Sequence, residues 1–510
     1  MNSFFAMKIR QYDIKIPDRN QLIISGLFIW LLIGIFDQHH TGLADNGDFT
    51  RSMQLYTTKP IGINSNWPPP GSGEYKERFF NYWLPRWELK WDLSWPTTSA
   101  QLLWLPGVLV NTLFFSRDVL YLESLSLLPK LFLIVILWLL FQYIKLQKYF
   151  TTTLLIGLGI PITLLLTSTD YIAYFNTFYQ ESAAFIFLFL TLASILCLRR
   201  CPSWQRLIFC LISILLLASS KSSHIYWPLI STPFVLIIWH TGNNVIPSRK
   251  SLWITILTSL VFTAASIGIT RSGSLEENPY HSLFYGVLTF SDNPSEHLQK
   301  LGMEEASPCI EHSAFTLMGT DCLNRYTHSY WNTLGVAYRE PVVIFRTISY
   351  SLSQMQDISL DYLGKYSSND PRSQTFTPIS GSGEQRCPPG EFTFWNLWSF
   401  LKYYCFPTGW ILVVFLAMMT FWFTVMLMKI KSGIQKDFAI IGLLTTVACI
   451  VHTQISIWGE GKYELIKHLF LSNLTFDIAI IVYMNSVIHF FVGIFKKSIN
   501  NEKTQSREII

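Results

Sequence analysis

The chain has 510 residues, of which 50% are hydrophobic and 14% charged, with a formal net charge of +5. A soluble domain carries about a quarter charged residues, so this composition excludes an ordinary soluble globular protein. No basic tract is large enough for nucleic acid, so no nucleic-acid partner is expected. The 15% share of Phe, Trp and Tyr suits a membrane protein with interfacial aromatic rings.

A bilayer core of about 30 Å asks for about 20 helical residues. Ten apolar stretches approach that length: 21–37, 124–144, 151–168, 183–198, 207–220, 225–240, 252–270, 408–428, 438–457 and 473–494. The first has no small-residue cleavage site after it and reads as a signal anchor. Residues 101–115, with Pro106 and Gly107, are short and read as a re-entrant or interfacial helix. Lys8, Arg10, Lys15 and Arg19 place the N-terminus in the cytoplasm. Alternating spans then bring Lys145 and Lys148, Arg199, Arg200 and Arg206, Arg249 and Lys250, Lys429, Lys431 and Lys436, and Lys496 and Lys497 to the same side.

The expected fold is therefore an all-α polytopic membrane protein with about ten transmembrane helices and a large helical extracytoplasmic loop region. Three parts are expected: an N-terminal transmembrane module 1–270 with a first outer loop 38–121, a loop subdomain 271–407, and C-terminal helices with a cytoplasmic tail 408–510. Cys309, Cys322, Cys387 and Cys405 share that subdomain. Pairing 309 with 322 and 387 with 405 closes the shortest loops, and two other pairings are open.

Ionisable residues gather at the outer ends of the spans. The first group is Leu43 to Arg51, LADNGDFTR, where an Asn-Gly turn presents Asp45 and Asp48 near the membrane. Asp48 could instead cap the segment that follows, whereas Asp45 has no such structural role in view. Asp170 and Glu181 bracket the turn between the third and fourth spans. Glu181 suits a helix N-terminus, while Asp170 stands against the dipole. Lys221 and His224 lie in a short polar turn, where a cation could meet a lipid phosphate or a Lys could simply snorkel. Glu460, Glu464, Lys467 and His468 would share one face of a helix, as a salt-bridge ladder or as metal ligands at 464 and 468. Asp477 lies at the edge of a span, where an acid is costly and usually paired or functional. Trp83, Trp87, Trp91 and Trp95 recur every four residues. On a helix they would form one stripe, as an interfacial belt or a platform for sugar rings or a prenyl chain.

This plan resembles the GT-C superfamily of membrane glycosyltransferases, which use sugars carried on a polyprenyl phosphate. The shared features are a cytoplasmic N-terminus, acids soon after the first helix in a long outer loop, a second acidic turn, and a large outer region late in the chain. Family members often carry an adjacent acidic pair in the first loop, whereas here Asp45 and Asp48 stand three apart. The resemblance implies a sugar donor on polyprenyl phosphate, a glycan, lipid or protein acceptor, membrane lipids as surroundings, and inversion at the anomeric carbon. It makes Asp45 the expected general base with Asp48 second, and Asp170 and Glu181 the groups that orient the acceptor or a metal. Lys221, His224, Lys467 and His468 would hold the lipid phosphate, and Glu460, Glu464 and Asp477 would support a polar pocket. A divalent cation is a candidate cofactor.

Two other readings compete. A carrier or flippase for a lipid-linked or anionic substrate would want charge at mid-membrane and broken helices there. An O-antigen-type polymerase or ligase would rely on outer-loop cations such as Arg339, Arg346 and Arg372. The lone Asn-X-Thr site, at Asn473, lies against the membrane and points to a bacterial inner membrane rather than the endoplasmic reticulum.

Overall fold

The computed structural model describes residues 18–38, 41–65, 67–69, 72–79, 84–92, 94–145, 151–242, 249–269, 277–355, 394–430 and 433–508. Helix α1 (Arg19–Asp37) starts at a capping box: the Asp18 carboxylate accepts from Gln21 N at 2.8 Å and the Gln21 side chain accepts from Asp18 N at 3.0 Å. After it come α2 (Thr50–Met53), α3 (Gly73–Arg78), β1 (Arg86–Glu88), α4 (Ser99–Phe114) and β2 (Val119–Tyr121). Strands β1 and β2 pair antiparallel, with Trp87 opposite Leu120. Helices α5 (Leu127–Lys145), α6 (Ile160–Leu166), α7 (Thr169–Ile172), α8 (Glu181–Arg200), α9 (Trp204–Ala218), α10 (Trp227–Gly242) and α11 (Arg249–Ile269) follow, with a π turn at Leu155–Gly159 before α6.

All ten apolar stretches are helical, but not all have the length of a span. Six helices among the described residues are long and apolar enough to cross a bilayer: α1, 122–145, α8, α18 (Gly409–Lys429), α19 (Ile434–Glu460) and 470–492. The pair 152–166 and 169–176, bent by 46°, makes a seventh if it crosses as one unit. Helices α4, α9 and α10 have 15 or 16 residues, short of a full bilayer core. Helix α8 is the central post: its sequence is apolar on all sides, and most of its residues are buried. At Gly442 a β-carbon would meet the Phe423 ring at 2.2 Å, so the small residue lets α19 lie close against α18.

Residues 277–355 build a second small core of their own. It is made by α12 (Glu277–Phe284), α13 (Pro294–Lys300), α14 (Leu317–Arg325), α15 (Tyr330–Arg339) and α16 (Val342–Gln354). Tyr280, Leu283, Phe284, Leu298, Val336 and Val343 fill it. Cys309 and Cys322 form a disulfide across it. Cys387 lies outside the described residues. The remaining helices are α17 (Leu397–Cys405), α20 (Leu465–His468) and α21 (Phe470–Glu508).

Two local expectations are corrected. The tryptophans do not form a helical stripe, because Trp87 sits on strand β1, where a period of four loses its meaning. Trp87 is fully buried, its Nε1 donating to Leu84 O at 2.7 Å, whereas Trp95 is 85% exposed; Trp83 lies outside the described residues. The run from Glu460 to His468 is not one helix. Gly461 has φ +62° and Glu464 has φ +46°, so the chain turns sharply between α19 and α20. A left-handed Glu is uncommon and is held by its surroundings.

Candidate functional site

The 45–51 turn gives its two acids different surroundings. Asp45 braces the turn: its Oδ1 accepts from Gly47 N at 2.7 Å and from Phe49 N at 3.2 Å. Its other oxygen faces the buried Arg78 guanidinium, which is sandwiched between the Phe79 ring at 4.6 Å and the Trp87 ring at 4.7 Å. Burial outweighs the pull of Arg78 and raises the Asp45 pKa above the ordinary carboxylate value. Asp45 is thereby a buried keystone of the loop, aimed away from solvent. Asp48 carries no cap, because the turn at Gly47 (φ +106°) swings it out. Its Oδ2 accepts from Lys467 Nζ at 2.6 Å, and its Oδ1 lies 3.5 Å from Arg51.

Lys467 comes from α20, more than four hundred residues later. It is buried between Asp48 and Glu464 and bonds both. The Asn46 amide closes the ring, donating to both Glu464 oxygens at 2.8 and 2.7 Å. The Tyr179 hydroxyl lies 2.8 Å from Ala44 O and 3.1 Å from Asn46 Oδ1, pinning the turn to the 173–181 segment. Desolvation alone would favour a neutral Asp48, but Lys467, Arg51 and Lys221 outweigh it and hold this carboxyl well below its usual range. Burial opposes the charge on Lys467 in the same way, and Asp48 and Glu464 outweigh it and raise its pKa. The result is a charged, tightly engaged network.

Beside it, Lys221 Nζ donates to Glu181 Oε1 at 2.7 Å. Asp48, Arg51, Tyr179, Glu181 and Lys221 line a cavity of about 20 Å³. That volume suits a water rather than a sugar. A substrate anion would enter only by drawing the cations away from their carboxylates. Glu460, which ends α19, pairs with His468 Nε2 at 2.6 Å, and the charge of Arg51 is felt by Glu460 in turn.

Other expected site residues lie elsewhere. His224 is buried, 2.9 Å from Ser220 Oγ, with its ring centroid 5.2 Å from that of His452. Burial first, then His452 and Lys221, push its pKa well below that of a free imidazole. A neutral His224 cannot serve as a phosphate-binding cation. Asp170 is buried in α7 and does not line the cavity. Asp477 belongs to a separate knot: Lys402 at 2.7 Å, Tyr171 hydroxyl at 2.7 Å and Trp398 Nε1 at 2.9 Å all face it. Lys402 also donates to Asn473 at 2.5 Å, and Asn473 is fully buried. Arg346 is tied to Asp292 at 2.8 and 2.9 Å, and Arg372 lies outside the described residues.

The sequence reading assigned no role to Asn46, Arg51 or Tyr179. The spacing of Arg51 from Asp48 is a visible signal and Asn46 is part of the Asn-Gly turn, whereas nothing in the sequence singles out Tyr179. Among the described residues no three His, Cys, Asp or Glu side chains converge as a metal site. Glu464 and His468 face different partners and do not act as a ligand pair.

Comparison with known proteins places the whole chain. It aligns over 388 residues with the protein YfdI of Escherichia coli (strain K12), at 23% identity, covering 72% of this chain and 77% of the relative. The apo crystal structure of an oligosaccharyltransferase from Archaeoglobus fulgidus covers 94% of this chain and 52% of its own, with 13% identity and a TM-score of 0.38. This chain thus spans about half the length of that structure, and a likeness at that level carries no argument. Residues 10–507 match the family described as the YfdI N-terminal transmembrane domain, and this multi-pass membrane protein belongs to that family.

Proposed function

We propose that the protein is a membrane glycosyltransferase that moves a sugar from a polyprenyl-phosphate carrier to a glycan, lipid or protein acceptor. The observation that carries this reading is the Asp48–Lys467–Glu464 network beside the Glu181–Lys221 pair, assembled at the acid-rich end of the spanning helices. Three carboxylates, of Asp48, Glu181 and Glu464, and three cations, of Arg51, Lys221 and Lys467, meet there.

The chemistry follows from the charges. The polyprenyl phosphate group competes for Arg51, Lys221 and Lys467. As those cations turn to the phosphate, Asp48 loses the field that keeps it a weak base, and its proton affinity rises. Asp48 then takes the proton of the acceptor hydroxyl. The acceptor oxygen bonds to the anomeric carbon, the bond from that carbon to the phosphate oxygen breaks, and its electron pair leaves on the polyprenyl phosphate. The cations stabilise that leaving anion. A single displacement of this kind inverts the anomeric configuration. Asp45 holds the loop through Arg78, and Glu181 holds Lys221 until donor arrives. EDTA treatment of the purified protein tests whether a divalent cation shares the neutralisation.

The basic connections put the opposite end of the helices in the cytoplasm, so the site faces the extracytoplasmic side, in a bacterial inner membrane. Cells carrying the wild type and Asp48→Asn are compared by mass spectrometry of their envelope glycans and lipid-linked sugars. The wild type is expected to consume a polyprenyl-phosphate sugar that accumulates with Asp48→Asn. Full transfer by Asp48→Asn would sink the proposal.

A further inference from the structure

At the other end of the bundle lies a much larger cavity, of about 290 Å³, unconnected with the acid–base network. Val135, Leu139, Leu190, Leu196, Ile441 and Val482 are among its apolar walls, contributed by α5, α8, α19 and α21. Val135 is 42% exposed, so the groove opens sideways along α5 toward the lipid. Its polar end is formed by Gln142, Tyr143, Arg200 and Asp437. Helix α8 has Glu181 at one end and Arg200 at the other, which separates the two sites by roughly 28 Å at 1.5 Å per residue.

The polar end has charge to spare. Asp437 Oδ2 accepts from Arg200 Nη2 at 3.2 Å and from the Tyr143 hydroxyl at 2.9 Å, and its Oδ1 is ion-paired with Arg199 Nε at 2.8 Å. One carboxylate therefore answers two guanidinium groups, leaving a net charge of one positive. The Arg200 guanidinium lies 4.6 Å over the Tyr143 ring, and its Nε is buried without a hydrogen-bond partner. A buried donor of this kind invites an acceptor. Arg206 and Lys436 rest on the carbonyls of Cys201 and Leu427 and do not line the groove.

We infer that this groove binds an anionic phospholipid of the leaflet at the basic end, with one acyl chain between α5 and α8 and its phosphodiester on Arg200. A phosphodiester carries a single negative charge, which matches the cluster. A phosphomonoester such as polyprenyl phosphate carries about 1.5 to 2 at neutral pH and asks for more. Anionic headgroups also concentrate beside basic membrane-proximal residues.

Native mass spectrometry of the full-length protein in detergent, titrated with phosphatidylglycerol, phosphatidylethanolamine and polyprenyl monophosphate, tests this. Phosphatidylglycerol is expected to bind in preference to phosphatidylethanolamine. Arg200→Gln removes the charged donor and is expected to weaken phosphatidylglycerol about tenfold. Because that change also disturbs Asp437, a second variant, Val135→Trp, fills the mouth of the groove and leaves every charge in place. It is expected to weaken phosphatidylglycerol to a similar degree. Unchanged phosphatidylglycerol binding in both variants overturns the inference. Displacement of bound phosphatidylglycerol by a lower concentration of polyprenyl monophosphate overturns the choice of occupant.

Discussion

Replacing Lys467 with Met removes the one cation that the Asp48 and Glu464 carboxylates share. At 2.6 Å from Asp48 and an effective dielectric near 20, the attraction to that one carboxylate is about 6 kcal/mol. The desolvation of a 1%-exposed ammonium offsets part of it, and breaking such a buried pair from one side typically costs about 3–5 kcal/mol. Asp48→Asn removes less, because Lys467 keeps Glu464 and the new amide remains hydrogen-bonded. The double variant should therefore be more stable than the sum of the two single losses implies, with a coupling of about 1.5 kcal/mol or more. Equilibrium unfolding in mixed micelles, measured for the wild type, both single variants and the double variant, gives the cycle. A coupling below about 0.5 kcal/mol would refute the reasoning.

The same pair sets a pH dependence. The Asp48 pKa is depressed in the folded state, so its stabilisation is present above the unfolded value of about 3.9 and is lost as pH falls through the lower folded value. Lys467 has a raised pKa, so its share is full below about 10.4 and is lost only as pH rises further. Unfolding should thus be insensitive to this pair between about pH 5 and 9 in the wild type. In Lys467→Met the folded Asp48 pKa moves back toward its unfolded value, so the acid loss of stability should become smaller, and identical acid limbs would contradict the pairing. Arg78→Met strands Asp45 in a buried loop and should cost about 3–5 kcal/mol, read as lost yield and lower thermal midpoint. Asp48→Asn, by contrast, should keep near-normal yield and lose at least about a hundredfold in transfer rate. Gly461→Ala places a β-carbon 2.5 Å from the His281 carbonyl at a positive φ. It should destabilise the 461–468 turn by about 1–3 kcal/mol, seen as earlier proteolysis there. Reduction of the Cys309–Cys322 bridge, whose cysteines are 13 residues apart, should cost about 3 kcal/mol, with its unfolding midpoint lower in reductant.

Much of the architecture was legible because bilayer thickness imposes a length. Each of the ten apolar runs became a helix, and the 101–115 run became the short α4. The runs 207–220 and 225–240 are already shorter than a full crossing in the sequence, and α9 and α10 keep that shortness at 15 and 16 residues. The acid-rich end was legible as well, because charge is excluded from spans and collects at their ends. What the sequence could not say was which acid met which base. Asp48 and Lys467 stand more than four hundred residues apart, and only packing of α20 against the 45–51 turn joins them. The surroundings of Asp45 had the same origin: its partner is Arg78, at the end of a short helix in the first outer loop that no periodicity announces. The four tryptophans misled because a spacing of four implies a stripe only on a helix, and Trp87 lies in a strand.

The most direct test of the central claim is an experimental structure of the purified protein with polyprenyl phosphate bound. The account predicts the lipid phosphate against Arg51, Lys221 or Lys467, with the Asp48 carboxylate released from Lys467 and facing the same cavity. A phosphate bound away from all three cations, with the Asp48–Lys467 pair intact, would contradict it.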